Sequence, residues 1–206
     1  MRKPKKYYMD PKKRIKKEIR LIGIDDSPFE KGQKGEVLVL GTIHRGGSDF
    51  EGLISTTIEK DGWNSTDRIT EMINRSRHKD QLQCIMIDGI AVGGFNVIDI
   101  NELADRTRLP VIVVVRRQPN MEMIANAIQN VPDHEKKMEL MKKAGKVYEY
   151  KVNDESKMYF QVARIHAKKA RQVLKISITR GNMPEPIRTA HIIAAGIVLG
   201  ESKGRA

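Results

Sequence analysis

Two apolar runs in this chain each stop on an aspartate: L-I-G-I-D-D-S over residues 21–27 and C-I-M-I-D-G over residues 84–89. Runs this short and this apolar predict buried strands. Each run carries a carboxylate to a strand end. A carboxylate only accepts hydrogen bonds, and it is costly to bury unless paired, hydrogen-bonded or bound to a metal. Two of them on neighbouring strands of one sheet repel. A divalent cation is the usual way to hold such a pair together.

The pattern around the runs defines the architecture. After a basic arm (1–16), strands are expected at 17–26, 36–44 and 50–61, joined by short connectors with Pro28, Gly32 and Gly35 as punctuation. Such connections predict an antiparallel three-strand meander. The period then changes. A helix follows Asn64, Ser65 or Thr66 with the stripe Ile69, Met72, Ile73, and a strand is expected at 81–88. A helix at 98–107 and a strand at 110–115 come next, then helices at 119–130 and 133–144 and short strands at 145–152 and 158–162. Asn96 and Asp99 read as caps of the 98–107 helix. Helices at 165–174 and from Pro186 to Leu199 close the chain. His134 and the run E-K-K-M-E-L-M-K-K read as a solvated helix face. The order predicts one α/β domain over 17–206: a mixed sheet, three antiparallel strands and then parallel ones, with helices on both faces, as in the ribonuclease H-like fold. In open α/β sheets the active crevice lies at strand ends, where Asp25 and Asp88 sit.

Charge points to the partner. The 206 residues carry a formal net charge of +12, and residues 1–20 hold ten Lys and Arg against Asp10 and Glu18, so this segment supplies most of it. Such an arm suits a nucleic-acid backbone, DNA or RNA, which it would track. The basic start is not followed by a signal-peptide core, and no apolar run reaches the ~18 residues of a membrane span. The single cysteine, Cys84, allows no disulfide within the chain. A cytoplasmic protein without a membrane segment is expected.

Several strings resemble endonuclease V. G-I-D at 23–25 is similar to its first-strand aspartate, and I-D-G at 87–89 to its second. P-V-I-V-V-V-R at 110–116 is similar to the next strand, with Arg116 where that family has a phosphate-contacting lysine. P-E-P-I-R-T-A-H at 184–191 resembles its late motif, with His191 at the Asp-or-His position. Over roughly residues 17–200 the chain also looks like an uncharacterised, mainly archaeal family related to endonuclease V.

The resemblance implies a Mg²⁺- or Mn²⁺-dependent phosphodiester hydrolase. Asp25, Asp61, Asp88 and His191 are its implied metal and catalytic residues, and Arg116 and Arg188 its phosphate contacts. Asp26 stands as an alternative first ligand, and Glu59 as an alternative to Asp61. The family's Pro-Tyr-Ile-Pro wedge is replaced here by F-E-G-L-I-S, its strand-end Glu-Gly has only Asp61-Gly62 as counterpart, and its His-Pro-Arg is replaced by G-G-F-N at 93–96. These departures favour a second reading, a nucleic-acid-binding protein that keeps the fold without the chemistry.

Overall fold

The computed structural model of the chain describes residues 7–10, 12–30, 32 and 34–202. Arg2, Lys3, Lys5 and Lys6 of the basic arm lie outside the described residues, as does the tail 203–206. The strands are β1 (Arg20–Asp26), β2 (Glu36–Arg45), β3 (Asp49–Glu59), β4 (Cys84–Asp88), β5 (Ala91–Val92), β6 (Asn96–Val97), β7 (Val111–Val115), β8 (Tyr148–Lys151) and β9 (Lys157–Ala163). Strands β5 and β6 form a small hairpin of their own, and the other seven form one sheet in the order β3-β2-β1-β4-β7-β9-β8. The meander β1-β2-β3 is antiparallel, while β1, β4 and β7 run parallel. The two late strands extend this parallel centre antiparallel to it. The helices are α1 (Ser65–Arg75), α2 (Ile100–Thr107), α3 (Met121–Ile128), α4 (His134–Lys143), α5 (Ala167–Ser177) and α6 (Glu185–Leu199). The mixed sheet covered on both faces is ribonuclease H-like.

Alternation in the central strands feeds two cores. Ile22 and Ile24 of β1, Ile85 and Ile87 of β4 and Val111 and Val113 of β7 pack under Ile69 and Ile73 of α1 and Leu103 of α2. Leu21, Met86, Ile112 and Val114 point the other way, under Val173 and Leu174 of α5 and Ile187 of α6. The parallel strands are thus buried on both faces, as their unbroken apolar runs require. Asp99 caps α2 by accepting from the backbone N–H groups of Asn101 and Glu102, both at 3.0 Å. Asn96 does not cap that helix. Its Oδ1 accepts from the Ser65 N–H, and its Nδ2 donates to the Glu59 carbonyl. No helix among the described residues is long and apolar enough to cross a membrane.

The basic run of α4 is not uniformly solvated. Lys137 is completely buried. Its ammonium donates to the carbonyls of Asp61 (3.0 Å), Gly62 (2.5 Å) and Phe95 (3.0 Å). It also lies 4.1 Å from the centre of the Trp63 ring. On the same helix Met141 packs inward with Val97 and Ile128. Lys137 therefore takes a core position, tolerated because turn carbonyls and an aromatic face replace its water. Burial lowers its pKa.

The arm is held against the end of the sheet where β1 begins. Tyr8 donates its N–H to the Arg164 carbonyl and its hydroxyl to Asp105. The Arg164 guanidinium grips the same carboxylate with two bonds, at 2.6 and 2.5 Å. Lys169 donates to the Lys13 carbonyl.

Two outcomes follow. Lys137→Met leaves three carbonyls without their donor, and urea unfolding should show a loss of about 3 kcal/mol. The Arg164 side chain holds the Asp105 carboxyl below the usual range. Its contribution is therefore present above the unfolded carboxyl value of ~3.9 and is lost as pH falls through the lower folded value. Asp105→Asn should remove that acid-side part of the stability profile and speed proteolysis of the arm at neutral pH.

Candidate active site

The site begins at a glycine. A Cβ on Gly23 would lie 2.2 Å from the carbonyl carbon of Pro186 and 2.4 Å from the Ile187 nitrogen. The backbone of α6 therefore rests directly on β1, which no larger residue permits. Thr42 of β2 fixes the same point, donating its hydroxyl to the Pro186 carbonyl at 2.5 Å. From this contact, two residues along β1 advance about 7 Å and reach Asp25 on the same face. Four residues along α6 from Ile187 advance about 6 Å and reach His191. The two meet: His191 Nδ1 lies 2.9 Å from Asp25 Oδ2.

Strand β4 brings the second carboxylate. It pairs with β1 in parallel up to Ile24 and Ile87. The next residues, Asp25 and Asp88, therefore stand side by side on one face of adjacent strands. Asp88 is in register with Val114 of β7. Arg116, two residues further, falls on that face as well. One open cleft of about 480 Å³ is lined by Asp25, Asp26, Ser27, Pro28, Phe29, Asp88 and His191.

The cleft is rich in negative charge. Burial, with the charges of Asp88 and Asp26, pushes the Asp25 carboxyl up to about 7 against the opposing bond from His191. Burial also raises Asp88, while Arg116 and His191 pull it back. His191 is raised first by its bond to Asp25, and Arg116 opposes that rise. Asp26 points to the other side of β1. Its Oδ2 accepts from the Gly93 N–H at 2.7 Å, and its own N–H donates to Asp25 Oδ1 at 2.9 Å.

The other expected residues lie apart from this cleft. Asp61 sits beyond the end of β3 in a left-handed turn, φ 54°. Its Oδ1 accepts from the Phe95 N–H at 2.8 Å, so its carboxylate shapes the β5–β6 hairpin. Glu59 is exposed on β3, its backbone groups bonded to Asn64 and Asn96. Arg188 donates Nε and Nη2 to Glu185 Oε2, at 2.9 and 2.7 Å, one turn before His191. The described arm residues lie at the opposite strand ends. Sequence reasoning missed Gly23, Thr42 and Lys137. The glycine inside an otherwise apolar strand was the available signal for the first.

Asp25 and Asp88 can offer oxygen ligands to a hard cation, and His191 an imidazole. Among the described residues, no group of three or more His, Cys, Asp or Glu is placed to hold a metal ion by itself. Magnesium suits such an open arrangement, since it takes one or two carboxylates and keeps waters or substrate phosphates for its other positions.

Carboxylates ending adjacent parallel strands of this seven-stranded mixed sheet, beside an acid-paired histidine, sit on a fold shared with endonuclease V. More narrowly, the chain belongs to the endonuclease dU family, whose sequence model matches residues 17–198. It is 47% identical over 195 residues to a UPF0215 protein of Methanothermobacter thermautotrophicus, covering 94% of this chain and 95% of that one. A solved protein of unknown function from Archaeoglobus fulgidus superposes with a TM-score of 0.78 at 35% identity, over 87% of this chain and 98% of that one. Endonuclease V of Ciona intestinalis, solved with a 24mer DNA containing an inosine followed by a ribo-adenosine, gives 0.52 at 13% identity, over 84% and 82%. At that identity the likeness is one of fold.

The Gly23 contact is directly testable. Gly23→Ala must push two backbones apart, so a loss of about 3 kcal/mol in thermal or denaturant unfolding is expected. In the same variant the His191 imidazole resonances should lose the pH response that Asp25 imposes on them.

Proposed function

We propose that this protein is a divalent-metal-dependent endonuclease acting on nucleic acid. The single observation behind the reading is the cleft itself, with Asp25 and Asp88 side by side and His191 bonded to Asp25. Two carboxylates sharing a half-buried cleft hold more negative charge than burial favours, and a divalent cation balances it. Mg²⁺ or Mn²⁺ would be held by Asp25 and Asp88, and when bound supplies Lewis-acid polarisation of a phosphodiester and a more acidic water. The family description, endonuclease dU, makes deoxyuridine-containing strands the leading substrate to test.

The chain's own residues divide the remaining work. Donation from Nδ1 of His191 to Asp25 fixes the imidazole tautomer and leaves Nε2 as the basic nitrogen, able to take or return a proton. Arg116, whose charge acts on both Asp88 and His191, supplies positive charge for a phosphate at the cleft. Asp26, tied to Gly93, anchors the hairpin and orients Asp25 through its own N–H. Phe29 gives the cleft an apolar wall.

The engaged carboxylate of Asp61 favours a second reading, a nucleic-acid-binding protein without chemistry. One experiment separates the two. Single-stranded and duplex substrates carrying deoxyuridine, inosine or neither are incubated with Mg²⁺ or Mn²⁺. Cleavage should require the ion and fall roughly 10²-fold or more in Asp25→Asn, Asp88→Asn and His191→Ala. Calorimetry should show Mn²⁺ binding that both Asn variants lose. Nucleic-acid binding with neither cleavage nor Mn²⁺ binding would establish the second reading instead.

A further inference from the structure

A second cavity, about 590 Å³, opens at the far end of the sheet. Its position follows from β1: the turn between β2 and β3 is bonded to the start of that strand, with the Gly46 N–H donating to the Ile19 carbonyl. Asp25 and Asp26 close the same strand. Seven residues at ~3.4 Å each set the two cavities roughly 20 Å apart. The floor of the far cavity is the Gly46-Gly47-Ser48 turn. Its walls are the arm on one side and the last turn of α5 on the other.

The cations that line it stand in contrast to several lysines elsewhere on the surface. Lys136, Lys151 and Lys157 are each paired with an acid, at Asp133, Asp154 and Glu149. Arg14, Lys17 and Lys175 line the cavity and are all exposed. Among the described residues, none of the three takes part in an ion pair. The two acids in the lining are engaged: Glu18 lies 3.9 Å from Arg45, and Asp49 accepts from Ser48. The arm that carries Arg14 and Lys17 is anchored before them, by Tyr8 at Asp105 and by Lys13 at Lys169, and after them, by Ile19 at Gly46. Its cations are therefore presented together by a folded segment.

We infer that this cavity is a second nucleic-acid contact, in which Arg14, Lys17 and Lys175 take backbone phosphates of the strand whose scissile bond lies in the cleft. The choice of polyanion rests on the function proposed above. A straight path of 20 Å corresponds to roughly six base pairs of duplex at ~3.4 Å each. Length and salt dependence of binding would thus be set at the underside, away from the carboxylates, which repel phosphate.

The test is fluorescence anisotropy with a labelled 30-mer, single-stranded or duplex, in EDTA, over ~50 to ~200 mM salt. The full chain is compared with a triple variant, Arg14→Ser, Lys17→Ser and Lys175→Ser, and with an equal-charge control, Lys136→Ser, Lys151→Ser and Lys157→Ser. The first variant should bind roughly tenfold more weakly, and the slope of log K against log salt should shrink by about 2 to 3. The control should keep at least most of the wild-type slope, and thermal unfolding of both should match wild type. An unchanged slope in the first variant, or equal loss in the two, overturns the site. The two proposals fail separately: no cleavage with a charge-dependent slope removes only the nuclease reading, and cleavage with an unchanged slope removes only this cavity.

Discussion

The contact of two backbones at Gly23 is the constraint on which the rest depends. A helix usually packs on a sheet through two layers of side chains. Here the missing Cβ lets α6 descend onto β1 itself, and Thr42 bonds the helix's first turn in place. That height sets where every later residue of α6 falls. Ala190 and Ala194, small enough to follow the same close approach, continue the seam over Leu40 of β2. A helix raised by one methyl layer would carry the imidazole of His191 out of hydrogen-bond range of Asp25. Packing in the core and chemistry at the rim thus come from one steric fact.

A second order of support runs beneath the carboxylates. Lys137 holds the carbonyls of Asp61 and Phe95, Asp61 accepts from the Phe95 N–H, its own N–H donates to Gly93, and Gly93 donates to Asp26. Asp26 in turn donates its N–H to Asp25. Each group in this chain satisfies a neighbour that burial would otherwise penalise. An acid beside Asp25 is thereby kept from competing for the same space, turned to the hairpin on the far side of the strand. The net effect is a rigid rear wall and an open front, which suits a site completed by its substrate.

The fold was largely legible because its signals were local. The apolar runs at 21–24, 84–87 and 110–115 and the short connectors between the first strands follow from pattern alone, and the mixed sheet follows from their order. The juxtaposition of Asp25 and Asp88 followed from the parallel pairing. What escaped had partners far away in sequence. The bonds of Asp61 and Lys137 depend on a hairpin whose strands are two residues each, too short to leave a period. Lys137 looked solvated because a charged run on a helix usually is, and its acceptors are turn carbonyls 42 to 76 residues earlier. Arg188 carried a motif's promise, but the acid three residues before it, Glu185, takes both of its bonds. Nothing in the composition of the arm indicated which end of the sheet it would cover.

The pairing of His191 with Asp25 joins residues 166 positions apart, one on the first strand and the other on the last helix. During synthesis the first strand and both cores' central strands leave the ribosome well before that helix does. Until α6 emerges, the seam at Gly23 lies uncovered and Asp25 has no imidazole beside it. A nascent or prematurely terminated chain could build most of the sheet yet would lack this half of the cleft. The order of residues along the chain therefore works as a timing device, withholding the assembled site until α6 has been made.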